Sequence, residues 1–123
     1  MKRLSSLLAQ IWNLIYFPAR WARSHWFQPR PQLFRFTRVD EMPDRLEPLT
    51  VYLCGEEKNL WAAAMICPCG CGEVIQLNLL KQARPCWSAV EHPDGTVSLL
   101  PSVWRKRGCR SHFFIRSGRV DWC

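Results

Sequence analysis

The sequence predicts a mainly β protein, in which a small antiparallel β domain follows an N-terminal amphipathic α-helix. Short runs of alternating or β-branched residues recur between turn residues, and there is no strand–helix–strand rhythm. The chain has 123 residues, enough for one small domain. Hydrophobic residues make up 48% of the chain and charged residues 22%, and these proportions exclude wholesale disorder.

The first segment has the pattern of an amphipathic helix over residues 3–16. Its apolar residues recur at helical spacing, namely Leu4, Leu7, Leu8, Ile11, Leu14 and Ile15. Polar residues interrupt the apolar centre that a secretion signal would need, and Pro18 marks the expected end of the helix. Such a helix would lie on a membrane surface, dock on a partner protein or pack on its own domain. A proline-rich break at 28–32 separates a basic helical extension, 1–32, from a β domain, 33–123.

The β domain is expected to hold strands, in order, over residues 33–39, 49–54, 61–66, 73–79, 86–91, 96–100, 112–116 and 119–122. Asp94-Gly95 separates the fifth strand from the sixth, and Ser117-Gly118 separates the last two strands. Each of these pairs is therefore predicted to form a hairpin. Residues 103–106 are expected to form a helical turn.

The formal net charge of +7 is unevenly distributed. Residues 1–39 hold seven Lys and Arg and no acid. Residues 40–80 carry −5, from two bases and seven acids, and residues 81–123 carry +5, from eight bases and three acids. A basic surface suits an acidic partner, nucleic acid or an anionic membrane face, or is simply solvated. Nucleic-acid binding would require one continuous patch that comprises Arg105, Lys106, Arg107 and Arg110.

The spacing of the cysteines is the pattern that most clearly indicates a specific chemistry, namely metal binding. Cys67, Cys69 and Cys71 lie within five residues, and Cys109 and His112 follow as a second half-site. Zn²⁺ prefers cysteine sulfur and histidine nitrogen in a tetrahedron, and glycine and proline let the backbone wrap closely around it. The seven cysteines are an odd number and follow no convincing secretion signal, so zinc in a reducing cytoplasm is favoured over disulfides.

There are five candidate ligands for the four coordination positions of a zinc ion. Which of them is not a ligand determines whether the site is structural or catalytic. Zinc with four protein ligands is structural, whereas zinc with three ligands and water is catalytic. If His112 is not a ligand, it is a candidate general base beside Ser111, although neighbours on a strand point to opposite faces. Glu56 is either a general base beside a zinc-bound water or a solvated loop residue. Ser102 is a further hydroxyl near a strand end, where it is expected to cap the following turn.

Six segments together resemble one protein family over about residues 36–123: Cys67-Pro-Cys-Gly-Cys-Gly72, Ile75-Gln-Leu-Asn-Leu79, Arg84-Pro-Cys-Trp87, Asp94-Gly-Thr-Val-Ser-Leu99, Pro101-Ser-Val-Trp104 and Cys109-Arg-Ser-His-Phe113. This is a bacterial zinc-binding domain family of unknown function, found in operons that resemble ubiquitin-like conjugation systems. The resemblance implies that a ubiquitin-like protein and its activating and conjugating enzymes are the partners, and that the setting is antiphage defence. It does not extend to residues 1–32.

Three functions of different classes are compatible with these features. The first is a zinc-supported peptidase that processes or removes a ubiquitin-like modifier, with Ser111, His112 and Glu56 as the residues to test. The second is a noncatalytic zinc-binding adaptor for a ubiquitin-like protein or its enzymes. The third is a basic zinc module that binds nucleic acid with steeply salt-dependent affinity. The ubiquitin-like pathway is favoured, in the cytoplasm or at a membrane periphery, and within it catalysis and binding stay open.

Overall fold

The computed structural model describes residues 32–123, which fold into eight β-strands in two four-stranded sheets. The strands are β1 (Arg35–Val39), β2 (Thr50–Glu56), β3 (Asn59–Ile66), β4 (Val74–Asn78), β5 (Ser88–Glu91), β6 (Val97–Trp104), β7 (His112–Arg116) and β8 (Arg119–Trp122). Residues 32–123 contain no helix, so the mainly β class is confirmed and this part of the chain has no membrane-spanning helix. The helix predicted over residues 3–16 lies outside the described residues.

The first sheet has the order β1-β2-β3-β4 and differs from the antiparallel prediction at one edge. β2, β3 and β4 pair antiparallel, but β1 pairs parallel with β2, with Arg35 opposite Thr50. Residues 40–49 connect the two strands and return the chain to the starting end of the sheet. Parallel neighbours need a long connection, because the chain must travel back along the sheet before the second strand begins. A short hairpin can join only antiparallel strands.

The second sheet is an antiparallel meander in the order β5-β6-β7-β8, and both predicted hairpins are confirmed. At the first turn, the Thr96 N–H donates to Asp94 Oδ1 at 2.9 Å. At the second turn, Ser117 and Gly118 both have positive φ, 47° and 81°, as in a type I′ hairpin turn. Turn residues recognised in the sequence therefore set the two hairpins of this sheet.

The inward faces of both sheets share one apolar core. Alternation along the strands produces this core: in β7, Phe113 and Ile115 are fully buried, whereas Phe114 between them is half-buried. The two sheets contribute further core residues, among them Phe34, Val51, Leu53, Ala63, Met65, Ile75, Leu77, Val97, Leu99 and Val103. The Phe34 N–H donates to the Gly118 carbonyl at 2.8 Å, which ties the segment before β1 to the last hairpin.

An irregularity in β6 positions the candidate site. Between the pairs Leu99–Ile115 and Val103–Phe113, four steps along β6 oppose two steps along β7. Pro101 lies in this bulge, where a residue without an N–H costs no ladder hydrogen bond. The bulge therefore interrupts the pairing while Leu99 and Val103 on either side stay buried in the core.

The end of β6 is extended, and the helical turn predicted over 103–106 is wrong. Val103 and Trp104 are strand residues that pair with β7, and the chain leaves the sheet from Arg105 onward. Pairing with a neighbouring strand overrides the weak local preference of a short segment.

Replacing Gly118 by Ala should lower the free energy of unfolding by about 2 kcal/mol, as measured by urea unfolding. Gly118 has positive φ, and an added Cβ would come within 2.7 Å of the Phe34 carbonyl oxygen. Ser117→Asn is the matched control, because Asn tolerates the left-handed conformation and should change stability by less than about 0.5 kcal/mol. Equal stability of the Gly118→Ala protein and the wild type would show that the turn relaxes away from Phe34.

Candidate active site and cysteine cluster

Ser102 and His112 come together on the outward side of the second sheet. The Ser102 Oγ lies 2.9 Å from the His112 Nε2, and both residues are half-buried. His112 opens β7 opposite Trp104, so Ser102, two residues before Trp104, is the diagonal neighbour of His112 on the same face. A hydroxyl in contact with an imidazole nitrogen is the arrangement in which a serine is activated as a nucleophile.

Trp104 holds the His112 ring in its plane. The two rings are stacked, with centroids 4.9 Å apart and an interplanar angle of 14°. Within residues 32–123, the contact with Ser102 is the one side-chain hydrogen bond at His112. If the Ser102 hydroxyl donates this bond, Nε2 accepts it and the ring proton resides on Nδ1.

Trp87 fixes the backbone of Ser102. Its indole N–H donates to the Ser102 carbonyl at 3.2 Å in a partly buried position. The Trp87 backbone N–H donates to the carbonyl of Asn78, the last residue of β4, at 2.8 Å. The serine is therefore held in place by contacts that reach back to the first sheet.

Four cysteines converge at the ends of β3 and the loop before β7. The Sγ atoms of Cys67, Cys69, Cys71 and Cys109 all lie within 4.8 Å of one another. The Cys67 Sγ is 3.4 Å from the Cys69 Sγ and 3.7 Å from the Cys109 Sγ. In a tetrahedron with Zn–S bonds of about 2.3 Å, the sulfurs lie about 3.8 Å apart. All four cysteines are free, and their sulfur separations suit a metal ion.

The loop after β3 turns tightly enough to direct three of these sulfurs to one point. Gly70 and Gly72 have φ values of 93° and 79°, a region in which L side chains are strained. The Cys71 N–H donates to the Cys69 Sγ at 3.3 Å. This donor favours the thiolate form, which is the form that binds a metal.

Ser111 lies against the cysteine cluster. Its Oγ is 3.2 Å from the Cys109 Sγ and 3.8 Å from the Cys67 Sγ, and the residue is buried. Hydrogen bonding to Ser111 lowers the pKa of the Cys109 thiol to about 6 and also lowers the pKa of Cys69. Burial instead raises the pKa of the Cys67 thiol to about 11. A bound cation would favour the thiolate at every one of these positions.

Arg105 connects the cluster to the start of β7. Its guanidinium donates to the Cys109 Sγ at 3.3 Å and pairs with the Glu73 carboxylate. The Arg105 side chain is only 18% exposed. It therefore contacts the cysteine cluster and does not form part of an exposed basic patch. The Arg105 N–H donates to the Ser111 carbonyl at 2.8 Å, which closes the loop that precedes His112.

The structure separates the residues that were candidates for a single catalytic site. Ser111 faces the cysteines, whereas His112 faces Ser102, and His112 is not part of the cysteine group. Glu56 lies in the β2–β3 hairpin, at the other end of β3 from Cys67 and roughly 25 Å away along the strand. The structure therefore brings neither Glu56 to the cysteines nor Ser111 to His112.

Ser102 is the residue whose contact with His112 the sequence did not indicate. Its position near a strand end suggested a cap for the following turn. A signal was present, because a proline inside a strand marks a bulge, and bulges often redirect side chains at active sites. Its partner could not be predicted, since the contact with His112 depends on the register of β6 on β7.

Trp87→Phe should lower the free energy of unfolding by about 1–2 kcal/mol, because the partly buried Ser102 carbonyl loses its donor. Chemical unfolding followed by circular dichroism measures the loss. Trp122→Phe is the matched control: this ring is 55% exposed, and no indole hydrogen bond is seen within residues 32–123. The control should change stability by less than about 0.5 kcal/mol. An unchanged Trp87→Phe protein would show that water replaces the indole donor.

Comparison with known proteins places the chain in a family. Residues 38–123, more than two thirds of the chain, match the family model "Bacterial ubiquitination-like system serine protease (BubE)". The matched range includes Ser102, His112 and the four clustered cysteines. No curated protein and no solved structure matches the chain. The family match confirms the resemblance to proteins of ubiquitin-like conjugation systems, and the chain belongs to the BubE family of bacterial ubiquitination-like system serine proteases.

Proposed function

We propose that the protein is a serine peptidase in which Ser102 is the nucleophile and His112 is the general base. The observation that carries the proposal is the 2.9 Å contact between the Ser102 Oγ and the His112 Nε2. This contact supplies the hydroxyl and base that a serine protease needs.

Acylation begins when the Ser102 Oγ attacks the carbonyl carbon of the scissile bond and its proton moves to the His112 Nε2. The C–N bond then breaks, the departing amine takes this proton, and the acyl group remains as an ester on Ser102. Water next attacks the ester and gives a proton to His112. Cleavage of the ester C–O bond returns a proton to the Ser102 Oγ and releases the acid.

The backbone of Ser102 offers a donor for the oxyanion that forms in each half of the reaction. The Arg105 N–H bonds to the Ser111 carbonyl, so antiparallel alternation directs the Val103 N–H toward β7 and the Ser102 N–H away from it. The Ser102 carbonyl accepts from Trp87 on that same side, in agreement with this direction. We assign the Ser102 N–H as a donor to the developing negative oxygen.

The substrate that we assign is a ubiquitin-like modifier. The family acts in a bacterial ubiquitination-like system, where a protease can trim the precursor tail of the modifier or remove the modifier from its conjugates. Both reactions use the hydrolysis described above, on a peptide or an isopeptide bond. The modifier and its activating and conjugating enzymes are the proposed partners, and antiphage defence is the proposed setting.

We propose that the cysteine cluster binds zinc in a structural role. Cys67, Cys69, Cys71 and Cys109 supply four ligands, which leaves no open position for water and leaves His112 free as a base. The bound metal would contribute folding free energy. Arg105 contacts both Cys109 and Ser111, so a cluster held by zinc would also hold the start of β7 in place. His112 projects from this end of β7.

Ser102→Ala should reduce kcat/KM by at least about 1,000-fold, because no other group takes over the attack. The assay follows cleavage of a C-terminally extended precursor of the ubiquitin-like protein from the same conjugation system. Ser111→Ala is the matched control, since it removes the same hydroxyl from the neighbour of His112 that faces the cysteines. We expect this control to retain activity within about tenfold once its fold is verified.

The reverse result, loss of cleavage in Ser111→Ala and retention in Ser102→Ala, would contradict the assignment of the nucleophile. A fluorophosphonate provides a second measurement, because it forms a covalent bond only with an activated serine. Mass spectrometry of the labelled protein should locate the adduct on Ser102.

Elemental mass spectrometry should find about one zinc ion per chain in the wild type and in His112→Ala, and little in Cys109→Ala. Cys109→Ala should also lower the free energy of unfolding by about 4 kcal/mol or more. Cys123→Ala is the control, because this exposed cysteine lies outside the cluster and should keep the zinc. Loss of zinc in His112→Ala would make His112 a ligand and would contradict its assignment as the general base.

A further inference from the structure

We propose that the substrate binds as an added β-strand along an open edge of β6, and that the added strand is an extended, acidic peptide segment. The open edge comprises the β6 residues Ser102 and Trp104. The inference rests on the proposed function, because it takes Ser102 as the nucleophile.

β6 loses its strand partner on one side before it reaches Ser102. β5 ends its pairing at Ser88, opposite Leu100. The chain before Ser88 turns away, since the Trp87 N–H bonds to the Asn78 carbonyl in the first sheet. Within residues 32–123, no strand pairs with the second half of β6 on that side. An unpaired strand edge is a template for an incoming strand.

The backbone groups of Trp104 point toward this open edge. Hydrogen-bonded and non-hydrogen-bonded pairs alternate between antiparallel strands. The Arg105 N–H donates to the Ser111 carbonyl at 2.8 Å, so Trp104 and His112 form the next, non-hydrogen-bonded pair. The Cys123 N–H donates to the His112 carbonyl from the far side of β7 at 3.0 Å, as the alternation requires. The N–H and C=O of Trp104 therefore both face away from β7.

The spacing along the edge suits a peptide that is cleaved at Ser102. Trp104 lies two positions after Ser102, which corresponds to about 6.5 Å along a strand. A substrate residue that exchanges two hydrogen bonds with Trp104 would place the carbonyl two positions away beside the Ser102 N–H. The Ser102 carbonyl already accepts from Trp87, so the added strand is anchored at Trp104 and at the Ser102 N–H.

The side chains that surround the open edge indicate the charge of the peptide. The Lys106 ammonium lies 5.5 Å from the centroid of the Trp104 ring, and that ring is 60% exposed. Arg107 follows and is exposed. Among the residues that the structure describes, neither Lys106 nor Arg107 forms an ion pair. The open edge therefore combines backbone donors and acceptors with unpaired positive charge, which favours an acidic segment.

Hydrogen exchange of the Trp104 amide, measured by NMR on the whole protein, tests the added strand. One probe is a diphenyl phosphonate that carries four residues from the C-terminal tail of the ubiquitin-like protein of the same system. The other probe is an alkyl fluorophosphonate without a peptide. Both should label Ser102, but only the peptide probe should slow exchange at Trp104, by at least about tenfold.

Two outcomes separate this inference from the function on which it rests. If both probes label Ser102 and exchange at Trp104 stays fast, the added strand is overturned and the serine peptidase stands. If neither probe labels Ser102 in a protein that NMR shows to be folded, the peptidase proposal and the inference both fail.

A pair of fluorogenic tail peptides tests the preference for negative charge. One peptide carries Asp and Glu before the cleaved bond, and the other carries Asn and Gln at the same positions. The wild type should cleave the acidic peptide with a KM about threefold lower, and Lys106→Gln should abolish this difference. Lys81→Gln, a change of the same charge in the turn after β4, should preserve it. Equal KM values for the two peptides in the wild type would overturn the acidic preference.

Discussion

The register of β6 on β7 is the constraint on which the candidate site depends. Val103 and Phe113 pair across the two strands and are buried in the core. Because side chains alternate between faces, a slip of one residue would expose Phe113 and bury His112. Apolar burial on one face of the sheet therefore secures the contact between Ser102 and His112 on the other face. The core and the site are two consequences of the same strand pairing.

Ser111 and His112, the first residue of β7, make different contacts because they point to opposite sides of the strand. Ser111 bonds to the cysteine cluster, and His112 bonds to Ser102. Arg105 links the two regions, since its side chain contacts Cys109 and its backbone closes the loop onto Ser111. In this arrangement the cluster supports the start of β7, and His112 lies outside the group of four cysteines.

Two departures from regular structure in the second sheet lie beside the proposed site. The bulge at Pro101 redirects Ser102, and the early end of β5 leaves the neighbouring part of β6 open. In β7, buried residues alternate regularly with less buried ones. A bulge and an open edge both forgo ladder hydrogen bonds, and Trp87 offsets part of this loss by donating to the Ser102 carbonyl.

The sequence by itself determined the mainly β class, the two hairpins at Asp94-Gly95 and Ser117-Gly118, the presence of a cysteine cluster and the family. These features depend on local alternation, turn chemistry and spacing, which short segments of the chain carry. Only the tertiary structure decided that β1 pairs parallel with β2, that Ser102 is the partner of His112, and that Glu56 lies far from the cysteines. These depend on which strands pair and in which register, and the pairing is selected by burial of a core shared between distant segments.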